Sequence, residues 1–168
     1  MSYVDTIRSI MPLSLDNIIK TAKQHVPDAY QHAPWSYPGL NHGTAILQNE
    51  EQLCCYLAAY GEMHKGKLKC ALAKFPFKSL DKNLEIIDWG CGQGLASVYM
   101  ADCLRYFGLI DKLQKVTLIE PSIAALKRAK LHVEQAVGDE VYIEGLNCYL
   151  PSVDVSLKDE AIGGLHIE

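Results

Sequence analysis

Two carboxylates and three glycines are the residues of this 168-residue chain whose spacing could do chemistry. In LEIIDWGCGQGLAS, residues 84–97, Asp88 precedes Gly90, Gly92 and Gly94 at steps of two. Further on, LIEPS ends in Glu120, Pro121 and Ser122. Glycines at alternate positions remove three Cβ atoms within five residues, so the backbone can turn sharply and a ligand can lie against it. A carboxylate accepts two hydrogen bonds and donates none, which suits the paired hydroxyls of a ribose. The chemistry on offer is recognition of an adenosine-bearing cofactor. Cys91 lies inside the glycine loop near a helix start, where a thiolate is favoured, although a small side chain filling space is the plainer reading. Trp89 reads as packing, under the loop or against ligand, with packing under the loop the plainer role.

These residues need a strand, a tight turn and a helix to position them. Leu84, Ile86 and Ile87 form a short run rich in β-branched residues, suited to a buried parallel strand. LASVYMADCLRYFG, from Leu95, is apolar most of the way round, as for a helix covered on two sides. Its first turn points free N–H groups and a positive dipole end at the loop. KVTLIEP then reads as a strand, SIAALKRAKLHVEQA as a helix with Lys127, Arg128 and Lys130 as a solvated basic face, VYIEGLN as a strand, and LPSVDVSLKDE as the element after it. Strands alternating with helices imply parallel strands joined by right-handed crossovers. Residues 1–80 read as a helical N-terminal region: helices within 1–26 divided at Pro12, capped at Ser14 and stopped at Pro27, an irregular segment over 27–44 whose aromatics pack on the rest, and two helices over 45–75 broken near Gly61 or Gly66. The fold class is therefore α/β, with a helical N-terminal region over 1–80 followed over 81–168 by an incomplete Rossmann-like, doubly wound parallel sheet.

The loop differs from two common nucleotide loops. A dinucleotide-binding turn wants a glycine at position 95 for close helix packing, where this chain has Leu95. A P-loop needs a Lys-Ser or Lys-Thr pair, and none closes this turn. DWGCGQG followed one βα unit later by LIEPS resembles the first two motifs of class I S-adenosylmethionine-dependent methyltransferases. The wording of both motifs, with YLAAYGEMHKGKL upstream, is also faintly similar to methyltransferase-like proteins of small ribosomal subunits. The resemblance implies that Gly90, Gly92 and Gly94, with Cys91 between them, let the backbone approach the cofactor. It implies too that Asp88 fixes the loop and the amino-acid end, that Glu120 holds the ribose hydroxyls, and that Pro121 or Ser122 lies beside the adenine. A polar residue after the third strand commonly reads the adenine amine in that family, and Asn147 is the nearest candidate.

A complete fold of that family has seven strands, whereas the chain after Leu80 has room for three βα units and the start of a fourth strand at GGLHIE. The motif that carries catalysis after strand four is missing, so the chain reads as a fragment, a methyltransferase's cofactor-binding portion with catalytic residues and acceptor unassigned, or else as a shortened relative that completes its sheet with a partner. Losing strand four would expose the edge of the first strand and invite a homodimer through that open edge. His42, His64, Lys65 and Tyr60 could line the cofactor or acceptor side, though a lone histidine is more often structural. A nicotinamide (NAD(P))-dependent oxidoreductase and a non-catalytic scaffold or cofactor-binding module are the rival function classes.

Composition narrows the partners. A hydrophobic share of 49% describes an ordinary globular chain. No apolar stretch is long enough to cross a bilayer, and MSYVDTIRSIMPLSLDNIIK lacks the basic start and apolar core of a secretory signal, which makes the cytoplasm the default. A net charge of −4 gives no overall footprint for nucleic acid, RNA as acceptor included, but leaves room for a local basic patch. The six cysteines form no C-x-x-C pair, so free thiols are expected and no metal is assigned.

Overall fold

The computed structural model describes residues 1–80, 82–149 and 164–167. In chain order the elements are α1 (Tyr3–Arg8), α2 (Leu15–Gln24), α3 (Glu50–Leu72), β1 (Leu84–Trp89), α4 (Leu95–Tyr106), β2 (Leu113–Ile119), α5 (Ile123–Val137), β3 (Tyr142–Leu146) and β4 (Gly164–Ile167). The fold is α/β, a helical region followed by an open parallel sheet of strand order β3-β2-β1-β4.

The sheet register explains why the motif residues meet. Ile86 pairs with Val116 and Trp89 with Ile119 across β1 and β2, and Ile119 pairs with Leu146 across β2 and β3. Three parallel strands thus end level, and the residues just beyond each end, Gly90, Glu120 and Asn147, emerge on one edge of the sheet. In open α/β sheets ligands bind in the crevice outside the carboxyl ends of the strands.

β4 changes one expectation. Gly164–Ile167 lies parallel against Glu85–Asp88, so the β1 edge, expected to be open for self-association, is occupied by the GGLHIE strand of the same chain. The segment LPSVDVSLKDE, residues 150–160, lies outside the described residues.

α4 and α5 pack on each other and against the sheet, and α1, α2 and α3 pack on those two helices. That second layer accounts for the apolar character of α4 on most sides: Val98, Met100, Ala101 and Leu104 are all buried. One face of β1, Leu84, Ile86 and Asp88, is buried, while Glu85, Ile87 and Trp89 on the other are half-buried. Among the described residues the sheet is thus fully covered on one face of β1, where a doubly wound sheet covers both. A single hydrophobic cluster takes Ile7, Leu13 and Ile18 from the helical region and Ile86, Leu104, Leu118 and Val133 from the sheet region. The change at residue 80 is one of architecture, with the core shared across it.

Local chemistry sets the helix bounds. Ser14 Oγ accepts from Asn17 N–H at 3.2 Å while Asn17 Oδ1 accepts from Ser14 N–H at 3.2 Å, a reciprocal cap at the expected residue. α2 ends before Pro27, with His25 as its cap. α3 is one helix of 23 residues where two were expected. A glycine costs a helix about 1 kcal/mol, and burial of Leu53, Cys54, Cys55 and Leu57 outweighs it. Gly61 has a packing reason, because a Cβ there would stand 2.8 Å from Ile19 Cγ1 on α2. Residues 27–44 form three short 3₁₀ turns. Tyr30 and Tyr37, ring centroids 4.9 Å apart, pack on a smaller apolar cluster as expected, but Trp35 is 61% exposed. Among the described residues no helix is long and apolar enough to cross a membrane.

The two α3 glycines should respond oppositely to the same substitution. Gly61→Ala forces a methyl into Ile19 and should lower stability by about 1–3 kcal/mol. At Gly66 an added Cβ meets nothing within 4 Å, so Gly66→Ala should raise stability by about 0.5–1 kcal/mol. Urea unfolding of both variants checks the pair, and a stabilised Gly61→Ala protein would contradict the α2–α3 crossing.

Candidate functional site

The loop after β1 is built by three left-handed glycines, with φ of 66° at Gly90, 52° at Gly92 and 77° at Gly94. Their surroundings divide them. A Cβ on Gly90 or Gly92 would meet nothing within 4 Å, whereas one on Gly94 would press on Ala129 of α5, 3.2 Å from both Cα and Cβ. Gly90 and Gly92 leave the loop's open face bare. Gly94 brings α4 and α5 into close contact, the task expected of a glycine at position 95 in a dinucleotide fold. Position 95 itself carries a buried leucine.

Asp88 is a buried anchor. Its carboxylate accepts from Ser97 Oγ at 2.6 Å and from the Ser97 backbone N–H in the first turn of α4. Burial pushes its carboxyl above the ordinary range, the Ser97 bonds pull it back, and the Glu120 charge adds to the rise. In this arrangement Asp88 fixes the loop and the helix start, and at 3% exposure it offers little surface to a ligand.

Glu120 is the half-buried carboxylate at the edge. One oxygen accepts from Gly92 N–H at 2.9 Å and the other from Ser122 N–H at 2.8 Å. The side chain thereby ties the β1 loop to the β2 loop. A carboxylate has about four lone-pair sites, so two stay available after both bonds. Asn147 stands beside it and donates from Nδ2 to the carbonyls of Glu120, at 3.0 Å, and Pro121, at 2.9 Å. Both amide hydrogens are used, which leaves Oδ1 as a free acceptor. Half-buried Pro121 sits between the two. Ser122 is buried and committed elsewhere: its hydroxyl donates to the Leu47 carbonyl and accepts from Ala125 N–H at 3.1 Å, capping α5.

Cys91 is 8% exposed, its N–H donates to the Ile119 carbonyl at 3.0 Å, and burial together with the charges of Asp88 and Glu120 pushes its thiol far up. A neutral thiol filling space fits these surroundings, and a thiolate nucleophile does not. Cys54, Cys55 and Cys91 are buried free thiols, while Cys70 is exposed.

The helical region supplies one wall. Tyr56, Tyr60 and His64 follow one another at intervals of four on α3. Tyr56 Oη and His64 Nε2 are 2.9 Å apart with stacked rings, and the Tyr56 and Tyr60 centroids are 5.2 Å apart. Burial, Tyr60 and the Glu120 charge raise the Tyr56 phenol, which puts it within electrostatic reach of the site. Gly43 follows exposed His42, and a Cβ added to it would stand 3.4 Å from the Tyr60 ring. Lys65 turns away to pair with Asp16. Of the residues singled out on this side, Tyr60 and His64 therefore belong to the wall and Lys65 does not. Tyr56 went unnoticed in the sequence, although the Y-x-x-x-Y-x-x-x-H spacing marks one helix face.

A buried relay behind the loop also escaped the sequence reading. Gln93, between the second and third glycines, donates from Nε2 to the Leu53 carbonyl of α3 at 3.1 Å. Its own carbonyl accepts from His132 Nδ1 at 2.8 Å. His132 must carry its proton on Nδ1 there, so Nε2 accepts from Tyr3 Oη at 2.9 Å. Arg128 lies over the Tyr3 ring, 3.9 Å from its centroid, and pairs with Glu50. It is 2% exposed, which corrects its place in a solvated basic face; Lys127 is exposed as expected. The legible signal was the α5 period, in which His132 follows Ala125, Leu126 and Ala129 on the apolar face.

Comparison with family models, with curated proteins and with solved structures finds no match for this chain. Among the described residues no group of acids, cysteines and histidines has the arrangement of a metal site.

Burial and the nearby Arg128 push His132 down to about 3, against the opposing bond to Gln93. An unfolded histidine titrates at about 6.5. The folded value is depressed, so the stabilisation is complete above about pH 6.5 and declines as pH falls towards 3, where the unfolded chain alone takes the proton. At pH 5 the loss should be about 2 kcal/mol, from about 1.36 kcal/mol per pH unit. Asp88, shifted upward, acts with the opposite sign at acid pH, so the comparison is with His132→Gln. That variant should be less stable at pH 7 by about 1–3 kcal/mol and should lose less between pH 7 and pH 5 than wild type. Parallel pH profiles in urea unfolding would remove His132 from this role.

Proposed function

We propose that this chain binds S-adenosylmethionine at the carboxyl ends of β1, β2 and β3 and forms the cofactor-binding portion of a methyltransferase. The observation that carries the reading is Glu120: a carboxylate at the end of β2, fastened to the glycine loop, beside two glycines whose missing side chains leave open space. The group fits the residues present. Gly90 and Gly92 give a flat backbone surface, Glu120 keeps two acceptor sites for ribose hydroxyls, and Asn147 keeps an amide oxygen that can accept from an adenine amine.

Bound there, the cofactor would supply a methyl carried on a sulfonium, a group open to in-line displacement. The chain's part is to orient and to exclude water. Asp88 and Ser97 hold the first turn of α4 against the loop, Glu120 and Asn147 hold the β1 and β2 loops in register, and Tyr56 and Tyr60 form an aromatic wall beside them. The methyl acceptor is RNA, a protein or a small molecule.

Calorimetry with S-adenosylmethionine and S-adenosylhomocysteine tests the proposal. Both should bind wild type, and Glu120→Gln should weaken each by about tenfold or more, as loss of a charge-assisted hydrogen bond is worth about 1.5–3 kcal/mol. Equal affinities in the two proteins would take Glu120 out of the site. A response to reduced nicotinamide dinucleotide and none to S-adenosylmethionine would replace the reading with an oxidoreductase.

A further inference from the structure

The chain carries −4 overall, yet Lys65, Lys67, Lys69, Lys74, Lys78 and Lys82, six of its sixteen basic side chains, fall within eighteen residues that hold one acid, Asp81. Lys65 is spent on Asp16, but Lys67, Lys69, Lys74, Lys78 and Lys82 are exposed and pair with no carboxylate among the described residues. This run covers the last turns of α3 and the 3₁₀ turn Phe77–Ser79 that leads to β1.

Aromatic rings are interleaved with these lysines. Phe75 follows Lys74 and Phe77 precedes Lys78. The Phe77 ring is buried and stacks on Phe107, 4.9 Å between centroids and 13° between planes, and Phe107 meets Tyr106 edge-on at 5.1 Å. Phe75 closes the other end at 4.7 Å from Phe77. Tyr106 is 84% exposed and Phe107 39%. Large rings with so much surface in water, braced on a buried ring, are available for stacking. Lys112 joins them by donating to the Leu80 carbonyl at 3.0 Å, with Asp111 beside it as the local acid.

We propose that Lys74, Lys78 and Lys82, together with the Phe107 and Tyr106 rings, form a docking surface for single-stranded nucleic acid. Exposed lysines suit the backbone phosphates, and exposed ring faces suit unstacked bases; an acidic peptide would use the charge and leave the rings idle. The surface lies at the amino end of β1 and the glycine loop at its carboxyl end, with the six residues of the strand, about 20 Å, between them. It is separate from the cofactor site and does not depend on that reading.

Fluorescence anisotropy of the full chain, without cofactor, tests the proposal with labelled oligouridylate, oligothymidylate and a duplex of equal length. Single strands should bind more tightly than duplex, with log affinity falling against log salt at about −0.7 per phosphate engaged. Lys74→Glu/Lys78→Glu/Lys82→Glu should abolish binding. Tyr106→Ala, at an exposed position where circular dichroism should show the fold intact, should weaken it about tenfold while polyphosphate binding stays unchanged. A preference between the two oligomers tells RNA from DNA. Absence of binding to either strand, binding of the duplex as tight as that of the single strands, or full affinity in Tyr106→Ala would each overturn the proposal.

Discussion

The structure depends on one buried contact, the hydrogen bond from His132 Nδ1 to the carbonyl of Gln93. Gln93 stands in the middle of a loop that turns through three left-handed residues, and such a turn has few backbone bonds of its own to hold it. Its side chain reaches α3, its carbonyl reaches α5, and through His132 it reaches Tyr3 on α1. The helical region is therefore part of the loop's support. Cutting the chain at residue 80 would remove the Leu53 and Tyr3 partners of Gln93 Nε2 and His132 Nε2, and leave the His132–Gln93 bond alone to hold the loop.

Around that anchor, the sheet does the positioning. Parallel register brings the ends of β1, β2 and β3 level, so residues far apart in the chain reach one edge without any long loop. Asp88 faces inward and stiffens α4, while Glu120 and Asn147 face the edge. Two acids with the same charge thus have different tasks, set by how much water each retains. Gly94 contributes in another way, by letting α5 approach closely enough for His132 to reach the loop.

Much of this was legible in the sequence. The apolar run before Asp88, the alternate glycines, the second acid at Glu120 and the βα rhythm all follow from periodicity and turn chemistry. What misled were local signals overridden by packing. Gly61 and Gly66 read as helix breakers, but one is a contact with Ile19 and the other is carried by a long buried face. Arg128 read as a surface charge because its neighbours Lys127 and Lys130 are charged; its burial over Tyr3 depends on a partner more than a hundred residues away, which no local window contains. Tyr56 and the Gln93 relay left only a helix-face spacing in the sequence, because the partners Leu53 and Tyr3 of the relay lie far off in the chain. The β1 edge read as open because a four-residue strand at the far end of the chain gives a weak pattern, although GGLHIE did suggest its start.

The double fastening of Glu120 has a consequence for the cost of recognition. A free glutamate that must close on a ligand loses side-chain rotamer freedom at that moment, an ordering cost of about 0.5–1.5 kcal/mol. Here Gly92 and Ser122 have already frozen the carboxylate and the two loops that carry it. A molecule meeting this edge finds its acceptor atoms in place, so selectivity rests on whether the incoming hydroxyls match a fixed spacing and little on the protein's capacity to adapt.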